Sequence, residues 1–452
     1  FMYSYILSVF SFGIKELCVI FVYNMLFFIV MILGIPLIIP MVLLSDKRRK
    51  TVLQRLGIAR LPRELIRKRC DTFDKKRVWI HALSVGEVIS AIPIVKGLTE
   101  YSNARSIVFS ASTKTGFDIA KKYLTDAVHS IFYFPYDVIF SVKYIVQRID
   151  PAVVVIVETD IWPNFLFEMK ERQVPVILVN ARLSKKSFIG YKRFGLFAKQ
   201  VFLNFFHICT QSLEDAVRFQ ELGVPSDRIA ITGNVKFDVT YQTLGSQEID
   251  RLRKSLHIQN ARKVFLAGST HPGEESMLLD AFSKIKHHED DLLLIVAPRN
   301  PERSGSVSRM FDSAGFSVGL MKELKNISSG KRLDVIIIDT IGVLKKLYAI
   351  ADITFIGGSL VNCGGHNPLE PAAFSKPIIF GHDMSDFADI SRMLLDAGGA
   401  VRVKDARDLY NALVLLLEDD KSALEMGINA LGVLTANKGS VEKTIKVIEP
   451  YL

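Results

Sequence analysis

The 452-residue chain has only four cysteines, Cys18, Cys70, Cys209 and Cys363, and no Cys-x-x-Cys pair among them. That scatter argues against a zinc site or a disulfide framework and suits a reducing compartment. The chain also lacks the GxxxxGK[ST] phosphate loop and the GxGxxG dinucleotide fingerprint, which argues against an NTPase or a dehydrogenase. It has no Asp-x-Asp triplet and no His-rich metal spacing, so no essential metal is expected. Short-period repeats and low-complexity tracts are missing. Finally, no charged residue occurs between Leu17 and Ser45.

That last absence describes a segment. Val19 to Leu44 is almost wholly apolar, with Asn24 its one strongly polar interruption. At 1.5 Å per residue it is long enough to cross a hydrocarbon core of about 30 Å. Pro36 and Pro40 fall late in the run, so a kink or an interfacial finish is the second reading. A basic collar follows: Lys47-Arg48-Arg49-Lys50, then Arg55, Arg60, Arg63, Arg67-Lys68-Arg69 and Lys75-Lys76-Arg77. The positive-inside rule sets this side in the cytoplasm. Because the basic cluster follows the apolar run and no small-residue cleavage site is evident, a membrane anchor is favoured over a signal peptide. The net charge of +10 points to acidic partners such as nucleic acid, phosphosugars or an anionic membrane face.

From Val78 onward apolar runs alternate with amphipathic stretches. Ser106–Ser110, Pro151–Val157, Val174–Val179 and His207–Thr210 read as strands; the β-branched Pro151–Val157 run is typical of a strand buried on both faces. A polar segment from about Thr240 to Gln259 separates these from a second series, Val264–Ala267, Leu292–Val296, Val335–Ile338, Ile353–Ile356 and Pro377–Phe380. The expected fold class is α/β: two doubly wound parallel-sheet domains facing each other across a cleft, preceded by an N-terminal anchor helix. The expected boundaries are 1–45 for the anchor, 46–239 for the first domain and 240–452 for the second.

The stretch Val78-Trp79-Ile80-His81-Ala82-Leu83-Ser84-Val85-Gly86-Glu87-Val88-Ile89-Ser90-Ala91 has the order of a strand, a tight turn and a helix. Ser84 and Glu87 have capping-box spacing, so Glu87 reads equally as a helix cap and as a carboxylate at the carboxyl end of a parallel strand, where open α/β sheets place ligands. Burial there would raise its pKa toward that of a general base. Glu158-Thr159-Asp160 follows the buried run Val153–Val157, and two acids at such a strand end are poor packing residues. In the second half three strand–loop–helix junctions suit phosphate: Leu266–Glu275, Ile338–Val343 and Gly357–Pro371. Arg299, just beyond a buried strand, can fork onto a phosphate. Glu370 either complements a helix dipole or accepts from a ribose. His81, His271, His366 and His382 lie in loops, where packing roles compete with functional ones.

Taken together, these motifs resemble the Kdo transferases, which attach 3-deoxy-D-manno-octulosonic acid to the lipid A precursor. The resemblance runs from the apolar segment to the final helix. It rests on His81–Glu87, Glu158–Asn164, Gly233-Asn234-Val235-Lys236-Phe237-Asp238, Ala297-Pro298-Arg299 and Gly364–Pro371. It implies a GT-B glycosyltransferase with an N-terminal acceptor domain and a C-terminal CMP-Kdo donor domain. The implied reaction is inverting and metal-independent, uses no cofactor, and adds one or more Kdo units to lipid IVA in lipopolysaccharide biosynthesis. Glu87 would be the general base, and Glu158 and Lys236 would support the transition state. Pro298, Arg299, the Ile341-Gly342-Val343 turn, and Asn367, Pro368, Leu369 and Glu370 would hold CMP. That turn departs from the family pattern, in which an acid commonly follows the glycine. The implied partners are CMP-Kdo, the lipid A precursor and the anionic surface of a bacterial inner membrane, with the catalytic domains on its cytoplasmic side and no nucleic acid. Two alternatives stand beside this one: a nucleotide-sugar epimerase of the same architecture, and a non-catalytic membrane protein that binds phosphoglycolipid.

Overall fold

The computed structural model describes residues 19–34, 36, 40, 42, 44, 46–58, 62, 77–101, 106–239, 244–259, 262–326 and 332–452. The chain divides into two units, Phe1–Val239 with Lys438–Leu452, and Thr240–Asn437.

The first unit is built on seven strands, β1 (Arg77–Ala82), β2 (Ile107–Ala111), β3 (Ser130–Tyr133), β4 (Pro151–Val157), β5 (Val176–Ala181), β6 (His207–Thr210) and β7 (Ile229–Ile231). They pair in the order β3-β2-β1-β4-β5-β6-β7, parallel throughout. The pleat sends alternate side chains to opposite faces, and here both faces are covered. Val78, Ile80, Val153, Val155 and Val157 enter one core with Val88, Ile94 and Leu98. Trp79, Val154 and Ile156 enter the other with Phe134, Ile145 and Phe165. A strand with apolar residues at every position is stable only between two such layers, which is why the Pro151–Val157 run was legible as buried.

The second unit repeats the plan with β8 (Val264–Thr270), β9 (Leu293–Pro298), β10 (Val318–Leu320), β11 (Val335–Ile337), β12 (Ile353–Ile356), β13 (Ile378–Phe380) and β14 (Ala400–Arg402). The order is β10-β11-β9-β8-β12-β13-β14, again all parallel. Phe265, Leu294 and Phe355 face one core, and Leu266, Ile295 and Ile336 the other. In each sheet the strand order reverses beside the first strand, between β1 and β4 and between β8 and β12. Those reversals are the switch points at which such folds bind ligands, beyond the carboxyl ends of the strands.

One expectation needs correction. The second unit ends at Asn437 rather than 452. The helix Ser440–Ile448 returns to the first unit, where Ile445 and Ile448 are buried. Asp238 caps its start by accepting from the N–H groups of Gly439 (2.7 Å) and Val441 (2.5 Å). The anchor expected over 1–45 lies for the most part outside the described residues. Among the described residues no helix is long and apolar enough to cross a membrane. The helix over 19–34 has sixteen residues, a rise of about 24 Å against a core of about 30 Å; most of 35–45 lies outside the described residues. This helix is tied to the first unit by polar contacts. Tyr23 Oη donates to Asp137 Oδ2 at 2.9 Å, and Asn24 and Asn164 exchange amide hydrogen bonds at 2.7 and 2.9 Å. The polar interruption in the apolar run is thus a docking point. Phe21, Leu26, Phe28, Val30 and Leu33 stay exposed.

Candidate active site

Glu87 stands in the first turn of the helix Val85–Tyr101, directly after β1. Its carboxylate accepts from the N–H of Leu83 (2.5 Å) and more weakly from the N–H (3.4 Å) and Oγ (3.3 Å) of Ser84. The capping interaction expected from the Ser-x-x-Glu spacing is therefore present. It does not exhaust the residue. Burial pushes the Glu87 carboxyl up to about 7, and the charges of Glu158 and Asp160 act in the same direction against the Leu83 and Ser84 hydrogen bonds. A carboxylate near neutrality is suited to taking and releasing a proton at physiological pH.

Glu158 follows β4, across the switch point from Glu87. Its backbone is left-handed, φ 62°, a conformation uncommon outside glycine, asparagine and aspartate. Its Oε1 accepts from Ser90 Oγ at 3.3 Å and from Asn180 Nδ2 at 3.4 Å. Ser90 lies one helical turn beyond Glu87, so the same helix positions both acids. Asn180 in turn accepts from the N–H of Val235 at 3.2 Å. Val235 opens the 3-10 turn Val235–Asp238 that carries Lys236. The three residues expected to be catalytic thus stand on connected elements of one unit. Below them His81 is fully buried, holds Asp160 Oδ2 at 3.0 Å through Nε2, and has Ser110 Oγ at 3.0 Å from Nδ1. Its ring stacks on Phe134 with centroids 3.9 Å apart. His81 is a buried support for Asp160 rather than a loop residue. Ser90, though within the Val78–Ala91 stretch, and Asn180 were not singled out from the sequence, because only the fold brings them to Glu158.

The second unit gives a mixed outcome. Glu274 begins the helix Glu274–Lys286 and is fully buried. Its carboxylate accepts from the N–H groups of His271 (2.9 Å), Gly358 (2.7 Å), Ser359 (3.0 Å) and Leu360 (2.9 Å). Those N–H groups were expected to be open to phosphate. They are filled by the protein's own carboxylate, which cross-ties two of the three junctions. Gly357 is required here, since a Cβ would come within 2.2 Å of Ser269 O.

The later part of the loop carries the other candidates. Asn367 Oδ1 accepts from the N–H of Leu369 at 3.0 Å, shaping the turn into the helix Leu369–Ala372. Glu370 has its pKa raised by burial, opposed by the Lys345 ammonium 3.7 Å away and by Arg299. His366 Nε2 lies 2.9 Å from His271 Nε2, so one ring donates and the other accepts. Burial, with Arg299 and His271 adding to it, holds His366 down to about 4. Arg299 is exposed just beyond β9 and acts electrostatically on both His366 and Glu370. Pro298 is the last, buried residue of β9. Ile341 and Gly342 are exposed at the second junction, with Gly342 at φ 90°, ahead of Val343 and the short helix Leu344–Leu347. The 3-10 turn Tyr348–Ile350 continues this helix.

Residues 50–239 match the family model for 3-deoxy-D-manno-octulosonic-acid transferase (kdotransferase). Among solved structures, the chain shares its fold with UDP-GlcNAc 2-epimerase from Neisseria meningitidis bound to UDP-GlcNAc (TM-score 0.56, 14% identity, 82% of this chain and 100% of that one). It shares it likewise with a glycosyltransferase from Rickettsia africae (TM-score 0.55, 14% identity, 84% of this chain and 99% of that one). The 3-deoxy-D-manno-octulosonic acid transferase of Haemophilus influenzae is 34% identical over 376 residues, 83% of this chain and 87% of that protein. With that identity over that length, the chain belongs to the 3-deoxy-D-manno-octulosonic acid transferase family, a family of glycosyltransferases.

Proposed function

We propose that the protein transfers Kdo from CMP-Kdo to the lipid A precursor lipid IVA, with inversion and without a metal or cofactor. The observation that carries this reading is Glu87, half-buried at the switch point of the first unit with its carboxyl held near pH 7. As the acceptor oxygen bonds to the anomeric carbon, its proton passes to Glu87 and CMP departs with the bonding electron pair. Glu158 and Lys236 bracket the charges that develop, an anion for the sugar's positive character and a cation for negative charge. In the second unit Arg299 supplies a guanidinium for the CMP phosphate. Glu370, Asn367, Pro368 and Leu369 offer the nucleoside a carboxylate and a shaped turn, and Pro298 and Ile341-Gly342-Val343 flank it. Because Glu274 occupies the N–H groups of Gly358–Leu360, phosphate recognition falls to Arg299 rather than to that loop.

The acceptor is a glycolipid, and the exposed apolar side chains of the helix over 19–34, followed by the basic collar, suit attachment to the cytoplasmic face of an inner membrane. Incubating purified protein with CMP-Kdo and lipid IVA, and reading the lipid by mass spectrometry, tests the reading. Lipid gaining the mass of one or more Kdo residues is the expected result. An unchanged lipid, or epimerised UDP-GlcNAc formed without acceptor, would refute it.

A further inference from the structure

Asn180 lies next to last in β5, at the point where the pairing of β5 with β6 is irregular between Leu178 and Ala181. Its backbone is left-handed, φ 52°, and its side chain is fully buried. Strand irregularities beside active sites re-aim a side chain that regular pleating would point elsewhere. Here the re-aimed group is an amide, which donates and accepts at once. Nδ2 donates to Glu158 Oε1 at 3.4 Å, and Oδ1 accepts from the N–H of Val235 at 3.2 Å. The backbone is held as well: Gln211 Nε2 donates to Asn180 O at 2.9 Å. Thr159, beside Glu158, donates its hydroxyl to Arg182 O, fastening the β4 and β5 loops a second time.

We propose that Asn180 is a positioning residue for the transfer reaction, fixing the Glu158 carboxylate and the Lys236 turn relative to each other. The inference rests on the roles given to Glu158 and Lys236 above. Ser90 Oγ and Asn180 Nδ2 both donate to Oε1 of Glu158, which fixes the rotation of the carboxyl group. The other end of the amide reaches the residue before Lys236. Few side chains fit these demands together. Aspartate accepts left-handed backbone but cannot donate to Glu158. Alanine supplies neither bond, and glycine supplies only the backbone freedom.

Two variants separate positioning from packing. Asn180→Gly keeps the left-handed backbone and removes the amide. Asn180→Asp keeps an acceptor for Val235 but sets a carboxylate against Glu158. Each is assayed for kcat, for KM of both substrates, for the pH profile of kcat, and for hydrogen–deuterium exchange of the peptide spanning residues 233–239. Asn180→Gly is expected to lose about a hundredfold in kcat, the scale of a small misplacement, with KM for CMP-Kdo unchanged and with faster exchange at Val235 and Lys236. Asn180→Asp is expected to move the acidic limb of kcat to higher pH, because added negative charge opposes ionisation of Glu87. Parental kcat in Asn180→Gly, or unchanged exchange, overturns the proposal. If Asn180→Gly does not fold, an unmoved pH limb together with parental kcat in Asn180→Asp overturns it. If the parent protein transfers no Kdo, the functional reading fails by itself, and the exchange comparison alone decides whether Asn180 tethers the Lys236 turn.

Discussion

Replacing Glu87 by glutamine should remove activity and at the same time strengthen the fold. The carboxyl is held at about 7 against an ordinary 4.5, chiefly by burial. At 1.36 kcal/mol per pH unit, that gap corresponds to about 3 kcal/mol against the ionised native form. Partial exposure and the lost Leu83 and Ser84 hydrogen bonds reduce the recoverable part to about 1–2 kcal/mol. The sign follows from the protonation states. Below pH 4.5 the group is protonated in native and unfolded chains alike, so the substitution changes little. Between 4.5 and about 7 only the unfolded chain ionises, and native stability falls as pH rises; above 7 the full cost is present. Glu87→Gln should therefore melt about 2–8 °C above the parent at pH 8 and level with it at pH 4. Loss of a general base should lower kcat about 10²–10⁴-fold. In the parent, kcat should drop about tenfold per pH unit below 7, and the variant should lose that limb. Melting at the two pH values beside steady-state turnover measures both effects. A variant with parental turnover and a lower melting temperature at pH 8 would make Glu87 a helix cap and nothing more.

Other perturbations reach the second unit and the membrane. Arg299→Ala should weaken CMP binding about ten- to a hundredfold in calorimetric titration, the scale of one charge-assisted contact; unchanged affinity would place Arg299 outside the donor site. Glu274→Gln turns an NH₂ toward two of the four N–H donors around it, and two unsatisfied groups should cost about 2–5 kcal/mol, visible as a lower melting temperature; a parental melt would show that the loop finds other acceptors. Changing Lys47, Arg48, Arg49 and Lys50 to Gln in protein lacking residues 1–45 should weaken co-sedimentation with anionic liposomes by about 1 kcal/mol per charge at low salt and less at high salt. Equal binding at every salt concentration would give the collar another task.

Much of the fold was written in local pattern, and the exceptions have identifiable causes. Pro151–Val157 announced itself because seven consecutive apolar residues fit only a strand covered on both faces. The three-residue strands β7, β10 and β14 are only partly buried and carry too little pattern to stand out, whereas the equally short β11 and β13 are wholly apolar and buried. Glu87 and Glu158 were visible as acids at strand ends, where solvent-averse neighbours make a carboxylate conspicuous. Asn180 was not, since its role depends on a left-handed backbone and on partners at positions 158 and 235. The Gly357–Leu360 loop misled for a related reason. Its glycines advertised open N–H groups, but the carboxylate that occupies them comes from Glu274, some eighty positions earlier in the chain. Sequence spacing shows which groups a loop offers, and only the fold shows which are already taken. In the apolar run at 19–44, likewise, hydropathy counts Asn24 as one weak residue and not as half of an amide pair with Asn164.

The return of Ser440–Ile448 to the first unit bears on how the protein is made. A ribosome releases residues 77–239 long before residues 438–452, and Ile445 and Ile448 complete the core that contains Val78, Ile80 and Leu98. Until then Gly97, whose missing Cβ makes room for Ile445, borders an unfilled hole, and the carboxylate of Asp238 has no helix to cap. The unit synthesised second can close while the one synthesised first is still waiting, the reverse of the usual N-to-C order. During that interval the nascent first unit exposes apolar surface at the face the last helix will cover. Shortening the chain from its C-terminal end would thus injure the unit that bears Glu87 and leave the second unit folded.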